Sequence, residues 1–73
     1  MRHILLIAYL EELNDQTEQG NAVSSEITLA VINTLGAIGD KAAFDSLLAV
    51  TYLNYEESVL TAAREALSGL RWL

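Results

Sequence analysis

No proline interrupts this chain, and its four glycines, Gly20, Gly36, Gly39 and Gly69, are too few to punctuate a fold built from many short elements. Proline removes a helical hydrogen bond and glycine raises the entropic cost of ordering, so a sequence nearly free of both defaults to long helices. Cysteine is absent too, which leaves no disulfide or thiolate metal site to staple the fold. A chain of 73 residues is one domain, and a domain of this size buries only about 60% of the surface its unfolded form exposes. With 52% hydrophobic residues against 19% charged, it carries more apolar side chain than so small a core consumes, and part of that surface is expected to meet a neighbour.

The periodicity divides the chain into four helices. His3 to Asn14 places Ile4, Ile7, Ala8, Leu10 and Leu13 near helical spacing, and Leu5 and Leu6 widen the apolar face until the helix expects company on more than one side. Asp15 to Ala22 has no apolar rhythm and holds Gly20 beside Asn21, the pattern of a loop. Ser24 or Ser25 can cap a second helix, with Glu26 in its first turn and Ile27, Ala30, Val31, Thr34, Leu35 and Ile38 on one face. Gly39 suits the left-handed residue that ends that helix, and Asp40 the cap of the next. Ala43, Phe44, Leu47, Leu48, Val50 and Leu53 predict a third helix of about thirteen residues, broken at Asn54 and Tyr55. A fourth begins near Glu56, turns Val59, Ala62, Ala63, Ala66, Leu67 and Leu70 inward, and has Arg71 near its carboxyl end. The expected architecture is all-α: two antiparallel helical hairpins, over residues 1–39 and 40–73, stacked on each other as a short α-α superhelix.

The two hairpins are copies. A shift of 32 residues superposes Ile27 on Val59, Ala30 on Ala62, Leu35 on Leu67 and Ile38 on Leu70 without a gap. A shift of 40 pairs Ile4 with Phe44, Ile7 with Leu47, Leu10 with Val50, Leu13 with Leu53 and Asn14 with Asn54. The difference of eight residues equals the polar segment Asp15 to Ala22, an insertion in the first copy. Helix pairs recurring at such a period are the mark of an α-solenoid, in which each unit buries its apolar face against the next.

The stretch AVINTLGAIGDKAAFDSLLAVTYLNYEESVLTAAREALSGL resembles the HEAT-repeat family, in which a helix ending A-x-x-x-x-L-G-x-I-G-D leads into the next unit. Ala30, Leu35, Gly36, Ile38, Gly39 and Asp40 carry that pattern, and Val59, Ala62, Ala63, Ala66 and Leu67 its inner-helix signature, over residues 23 to 70. The family commonly has an arginine after the inner-helix valine. Here Thr28 and Leu60 stand in its place, which removes the usual charge ladder and frees Leu60 to face solvent or a partner. The resemblance implies that the exposed side of each second helix lines a concave binding surface, which makes Asn33, Arg64, Glu65 and Ser68 candidate contact residues.

Charge and chemistry narrow the function further. Ten acidic against four basic residues, a net charge of -6, argue against nucleic acid and anionic membrane as partners, because both require clustered Lys and Arg. The apolar run Ile4 to Leu10 behind Arg2 imitates an export signal, but Glu11 and Glu12 follow at once and no small-residue cleavage site appears. No run reaches the roughly 18 apolar residues of a membrane span, and a cytoplasmic location is the default expectation. His3 is the sole histidine and has no partner at metal-ligand spacing. Glu11 with Glu12, and Glu56 with Glu57, are adjacent on helices and point about 100° apart, so neither pair converges on a substrate. Serines and Thr61 lack a histidine on a shared face, and Gly36 and Gly39 are not followed by the lysine of a phosphate loop.

No catalytic residue, cofactor or metal is therefore expected. The aromatic residues Tyr52, Tyr55 and Trp72 are the side chains that would concentrate binding energy, with Tyr52 and Tyr55 also suited to sealing the end of a helix pair and Trp72 and Leu73 to meeting another chain. The sequence reads as a protein-interaction or scaffold module that self-associates or belongs to a larger solenoid. Its partner residues are expected among Asn33, Leu60, Arg64, Glu65, Ser68 and Trp72. The alternative is a subunit or fragment of a HEAT-like enzyme such as a lyase.

Overall fold

The computed structural model describes residues 4–70, which are all-helical, with no strand among them. Helix α1 spans Ile4–Glu18 and α2 Ser25–Ile38; a 3₁₀ turn, Lys41–Ala43, leads into α3, Phe44–Val50, and α4 spans Glu57–Leu70. His3, Arg71, Trp72 and Leu73 lie outside the described residues.

The expected caps form. Ser24, extended at φ -71°, accepts a hydrogen bond from the Ile27 amide, and Glu26 stands in the first turn of α2. Gly39 closes the helix at φ +73° with its amide on the Leu35 carbonyl, and the Asp40 carboxylate then accepts from the Ala42 amide to start the next element.

Three sequence expectations are corrected. Half of the polar segment Asp15 to Ala22 is helix and not loop, because α1 continues to Glu18. Glutamine and glutamate are good helix formers whatever their polarity. The extension is supported by Gln16 Nε2 donating to Glu12 Oε1 at 3.0 Å and by the Thr17 hydroxyl donating to the Leu13 carbonyl at 2.9 Å. It ends only at Gly20 (φ +86°), where the Gly20 amide bonds the Thr17 carbonyl and the Asn21 amide the Gln16 carbonyl, a Schellman closure. The inserted residues thus lengthen a helix, giving α1 15 residues against seven in α3.

The third helix is also shorter than expected. Its first turn is 3₁₀, and after Val50 the amides of Thr51, Tyr52 and Leu53 bond the carbonyls three residues back. Phe44, expected inside, is 37% exposed on the outer side of the second hairpin.

In α2 the buried face is rotated from the expected one. Thr28, Val31, Ile32 and Leu35 are buried, whereas Ile27, Ala30, Thr34 and Ile38 are exposed. A buried threonine is tolerable because its hydroxyl donates to the Ser24 carbonyl at 2.8 Å.

Packing follows from these faces. Each hairpin packs internally, α1 on α2 and α3 on α4, and the hairpins stack through α1 on α3 and α2 on α4. The result is two layers, α1 with α3 and α2 with α4, around one core of Leu10, Leu13, Val31, Ile32, Leu35, Leu47, Val50, Val59, Ala63 and Leu70, among others. The second layer is the tighter seam, because Gly36 lies where an added Cβ would stand 2.9 Å from the Ala66 Cβ and 3.3 Å from its Cα.

Gly36→Ala therefore forces α2 from α4 and should destabilise the fold by about 1–3 kcal/mol, even though alanine is the better helix former by roughly 1 kcal/mol. Gly69→Ala, with open space around the new methyl, should stabilise by up to about 1 kcal/mol. Urea denaturation of both variants checks the pair; a Gly36→Ala variant at least as stable as the parent would contradict the close approach.

Candidate functional site

Two stacked hairpins have four long faces: the α1/α3 groove, the α2/α4 groove, and the outer flank of each hairpin. Each helix turns about 100° per residue, so its buried and groove-lining positions fix which of these faces every other side chain occupies.

The α1/α3 face is held by a buried polar knot. Asn14 donates from Nδ2 to the Ser46 carbonyl at 3.1 Å and accepts at Oδ1 from the Tyr55 hydroxyl at 2.7 Å, tying α1 to α3 and to the segment leading into α4. Tyr55 thus seals the end of the second hairpin, and burial pushes its hydroxyl above the ordinary tyrosine range, partly offset by the Thr17 hydroxyl. Above the knot runs an open groove of about 590 Å³, where Glu11, Asp15, Glu18 and Asp45 stand around Ala49, Tyr52 and Leu53. Glu11 and Glu12 diverge as expected: Glu11 faces this groove and Glu12 accepts from Gln16. The gathering of Glu11, Asp15 and Glu18 is legible in their spacing of four and three, but only once residues 15 to 18 are recognised as helix. Among the described residues no group of three or more His, Cys, Asp or Glu is placed to hold a metal ion.

The structure divides the candidate contact residues. Asn33 and Glu65 come together in the shallow α2/α4 groove, about 270 Å³, beside Gly36, Ala62, Ala66 and Gly69. Arg64 and Ser68 lie instead toward the outer flank of the second hairpin, where Arg64 Nη1 meets Glu57 Oε1 at 3.4 Å in an exposed pair. Leu60 is half-buried against the core with Leu67.

Comparing the two flanks through the internal repeat separates them. On the first hairpin, Leu5 (87% exposed), Tyr9 (43%), Ile27 (46%) and Ile38 (41%) share the outer flank with Ala30 and Thr34. Thirty-two residues on, the counterparts of Ile27, Ala30, Thr34 and Ile38 are Val59, Ala62, Ala66 and Leu70, all buried or half-buried between the hairpins. This amino-terminal flank therefore has the composition of an internal face. The carboxyl-terminal flank is mixed, with Phe44 (37% exposed) and the half-buried Leu48, Leu60 and Leu67 beside polar residues. The face of α2 that receives α4 carries Leu29, Ile32 and Gly36, and their counterparts in α4 are the exposed Thr61, Arg64 and Ser68. The two ends of the stack therefore differ in that the carboxyl-terminal one sets an exposed ion pair, Arg64 with Glu57, among its apolar residues.

No family model, curated protein or solved structure matches this chain. No helix among the described residues is long and apolar enough to cross a membrane.

The knot yields a pH signature. Because the folded state holds Tyr55 above its unfolded value, the folded state keeps the proton longer. The stabilisation is complete below the unfolded tyrosine pKa of about 10 and falls as pH rises from there through the folded value. Tyr55→Phe should flatten that alkaline decline. At neutral pH it should cost about 1–3 kcal/mol, since Asn14 Oδ1 is left buried without its donor. Thermal unfolding of both proteins from pH 7 to 11 checks this, and identical alkaline profiles would refute it.

Proposed function

We propose that this chain is a non-catalytic protein-interaction module of HEAT-like type, a short stack of helical hairpins that receives a further helical element on its amino-terminal flank. The reading rests on one observation: Ile27, Ala30, Thr34 and Ile38 are exposed where their repeat counterparts are covered by a neighbouring hairpin. Contiguous apolar surface of that kind on a small domain marks an interaction site, and isolated apolar residues do not. Repeat proteins supply the physical precedent, since each unit is stable only when its apolar face is stacked and terminal units need a polar outer face. Thr61, Arg64 and Ser68 put polar side chains at the other end where α2 has Leu29, Ile32 and Gly36. The Asn33 and Glu65 groove is the concave strip on which a second contact would form.

Extending the repeat tests this reading. In a chain with residues 4–40 duplicated ahead of residue 4, the added copy of Leu29, Ile32 and Gly36 lies against the original Ile27, Ala30, Thr34 and Ile38. That chain is expected to unfold in one transition, with a higher Tm and a larger urea m-value than the parent, because nearest-neighbour stacking adds stability and m scales with buried surface. An added hairpin that stays unfolded, leaving the parent transition unmoved, would contradict the module.

A further inference from the structure

We infer that the occupant of the amino-terminal flank is a second copy of this chain, docked flank to flank about a two-fold axis that sets α2 antiparallel to its mate. The inference rests on the reading of that flank as a docking face and adds which partner fills it.

Three observations lead there. The first is self-complementarity. Along α2 the exposed stripe runs Ile27, Ala30, Thr34, Ile38, large side chains at both ends and small ones between. Antiparallel pairing of two such stripes sets Ile27 against Ile38 of the mate and Ala30 against Thr34 of the mate. The small residues then admit close approach of the helices, as Gly36 and Ala66 do within the chain. A face whose large and small positions match after a two-fold rotation is what an isologous interface requires.

The second is the character of the other flank. Head-to-tail stacking would bring the carboxyl-terminal flank of one copy onto the amino-terminal flank of the next. It would place Arg64 and Ser68, with Glu57 beside them, where the internal seam has Ile32 and Gly36. Burying that exposed pair against isoleucines costs desolvation that the mutual attraction of Arg64 and Glu57 does not repay without further hydrogen bonds. Flank-to-flank pairing avoids the cost and closes after two copies.

Charge supplies the third. With a net charge of -6, two copies meet most readily along a stripe free of carboxylates. Glu11, Asp15, Glu18 and Asp45 crowd the α1/α3 groove and Glu65 lines the α2/α4 groove. On the amino-terminal flank, by helical spacing, Glu12 shares the α1 stripe with Leu5 and Tyr9 and Glu26 stands one turn before Ala30, while the α2 stripe Ile27, Ala30, Thr34, Ile38 itself carries no carboxylate. It is the face on which an anionic chain can approach itself, with Leu5 and Tyr9 of α1 beside the α2 stripe.

Light scattering on the whole chain across a wide concentration range, with single-residue variants, tests the inference. The expected mass is that of a dimer, dissociating on dilution. Ile27→Lys and, separately, Thr34→Lys should each raise the dissociation constant at least about tenfold while helicity is retained, because both positions are exposed within one copy. As the chain has no cysteine, Ala30→Cys and Thr34→Cys copies can be mixed and joined by a short thiol cross-linker, whereas Ser68→Cys copies should not join to either. A monomer at every concentration, a dimer indifferent to both lysines, or cross-linking through Ser68→Cys would overturn the inference. The duplicated-hairpin chain reports on the docking face separately, so a monomeric parent with a cooperative three-hairpin variant excludes the second copy and leaves the module standing.

Discussion

At the seam between α2 and α4, Gly36 offers no side chain to Ala66, and the two helices close to a distance that a single added methyl would prevent. That closeness lets Val31, Ile32 and Leu35 share one core with Val59, Ala63 and Leu70 in a chain too small for two. The other seam, α1 on α3, is held differently. Its centre is the Asn14–Tyr55–Ser46 knot, whose hydrogen bonds fix register where packing alone would leave it loose. Stacking of one hairpin on its copy is thus specified twice, by shape in one layer and by polar geometry in the other.

Much of this is legible in the sequence, for reasons that can be named. Ser24, Gly39 and Asp40 announce helix ends because capping is a local affair of side-chain oxygen and backbone amide, and all three act as the sequence implies. The inward face of α4 is likewise legible, because Arg64, Glu65 and Ser68 leave only one side apolar. In α2 both sides are apolar, so periodicity sees a stripe through Ile27 and Ile38 without revealing that the neighbouring stripe through Thr28 and Ile32 is the buried one. That choice is tertiary: it depends on where α4 sits and on the Ser24 carbonyl accepting the Thr28 hydroxyl. The polar run from Asp15 misleads for another reason, since polarity marks exposure and not loop, and Glu12–Gln16 pairing on a solvated face sustains a helix without any apolar rhythm.

The same misplaced stripe bears on function. Ile27, Ala30, Thr34 and Ile38 look like core in the sequence because they align with positions that are buried or half-buried in the second hairpin, yet they are exposed in the structure. Asn33 and Glu65 were legible as surface, but their convergence in one groove and the separation of Arg64 and Ser68 from it follow from the rotation of α4 between two neighbours. The two flanks differ in composition although their helices align at a shift of 32 residues. The exposed Arg64–Glu57 pair stands on the carboxyl-terminal flank, and the proposed interactions are confined to the amino-terminal one.

That confinement is the centre of the account, and an isotope-filtered NMR experiment on a mixture of ¹³C-labelled and unlabelled chains reads it directly. Intermolecular contacts from the methyl groups of Ile27 and Ile38, with none from Thr61, are the predicted result. Intermolecular contacts from Thr61 while the isoleucine methyls remain silent would contradict it.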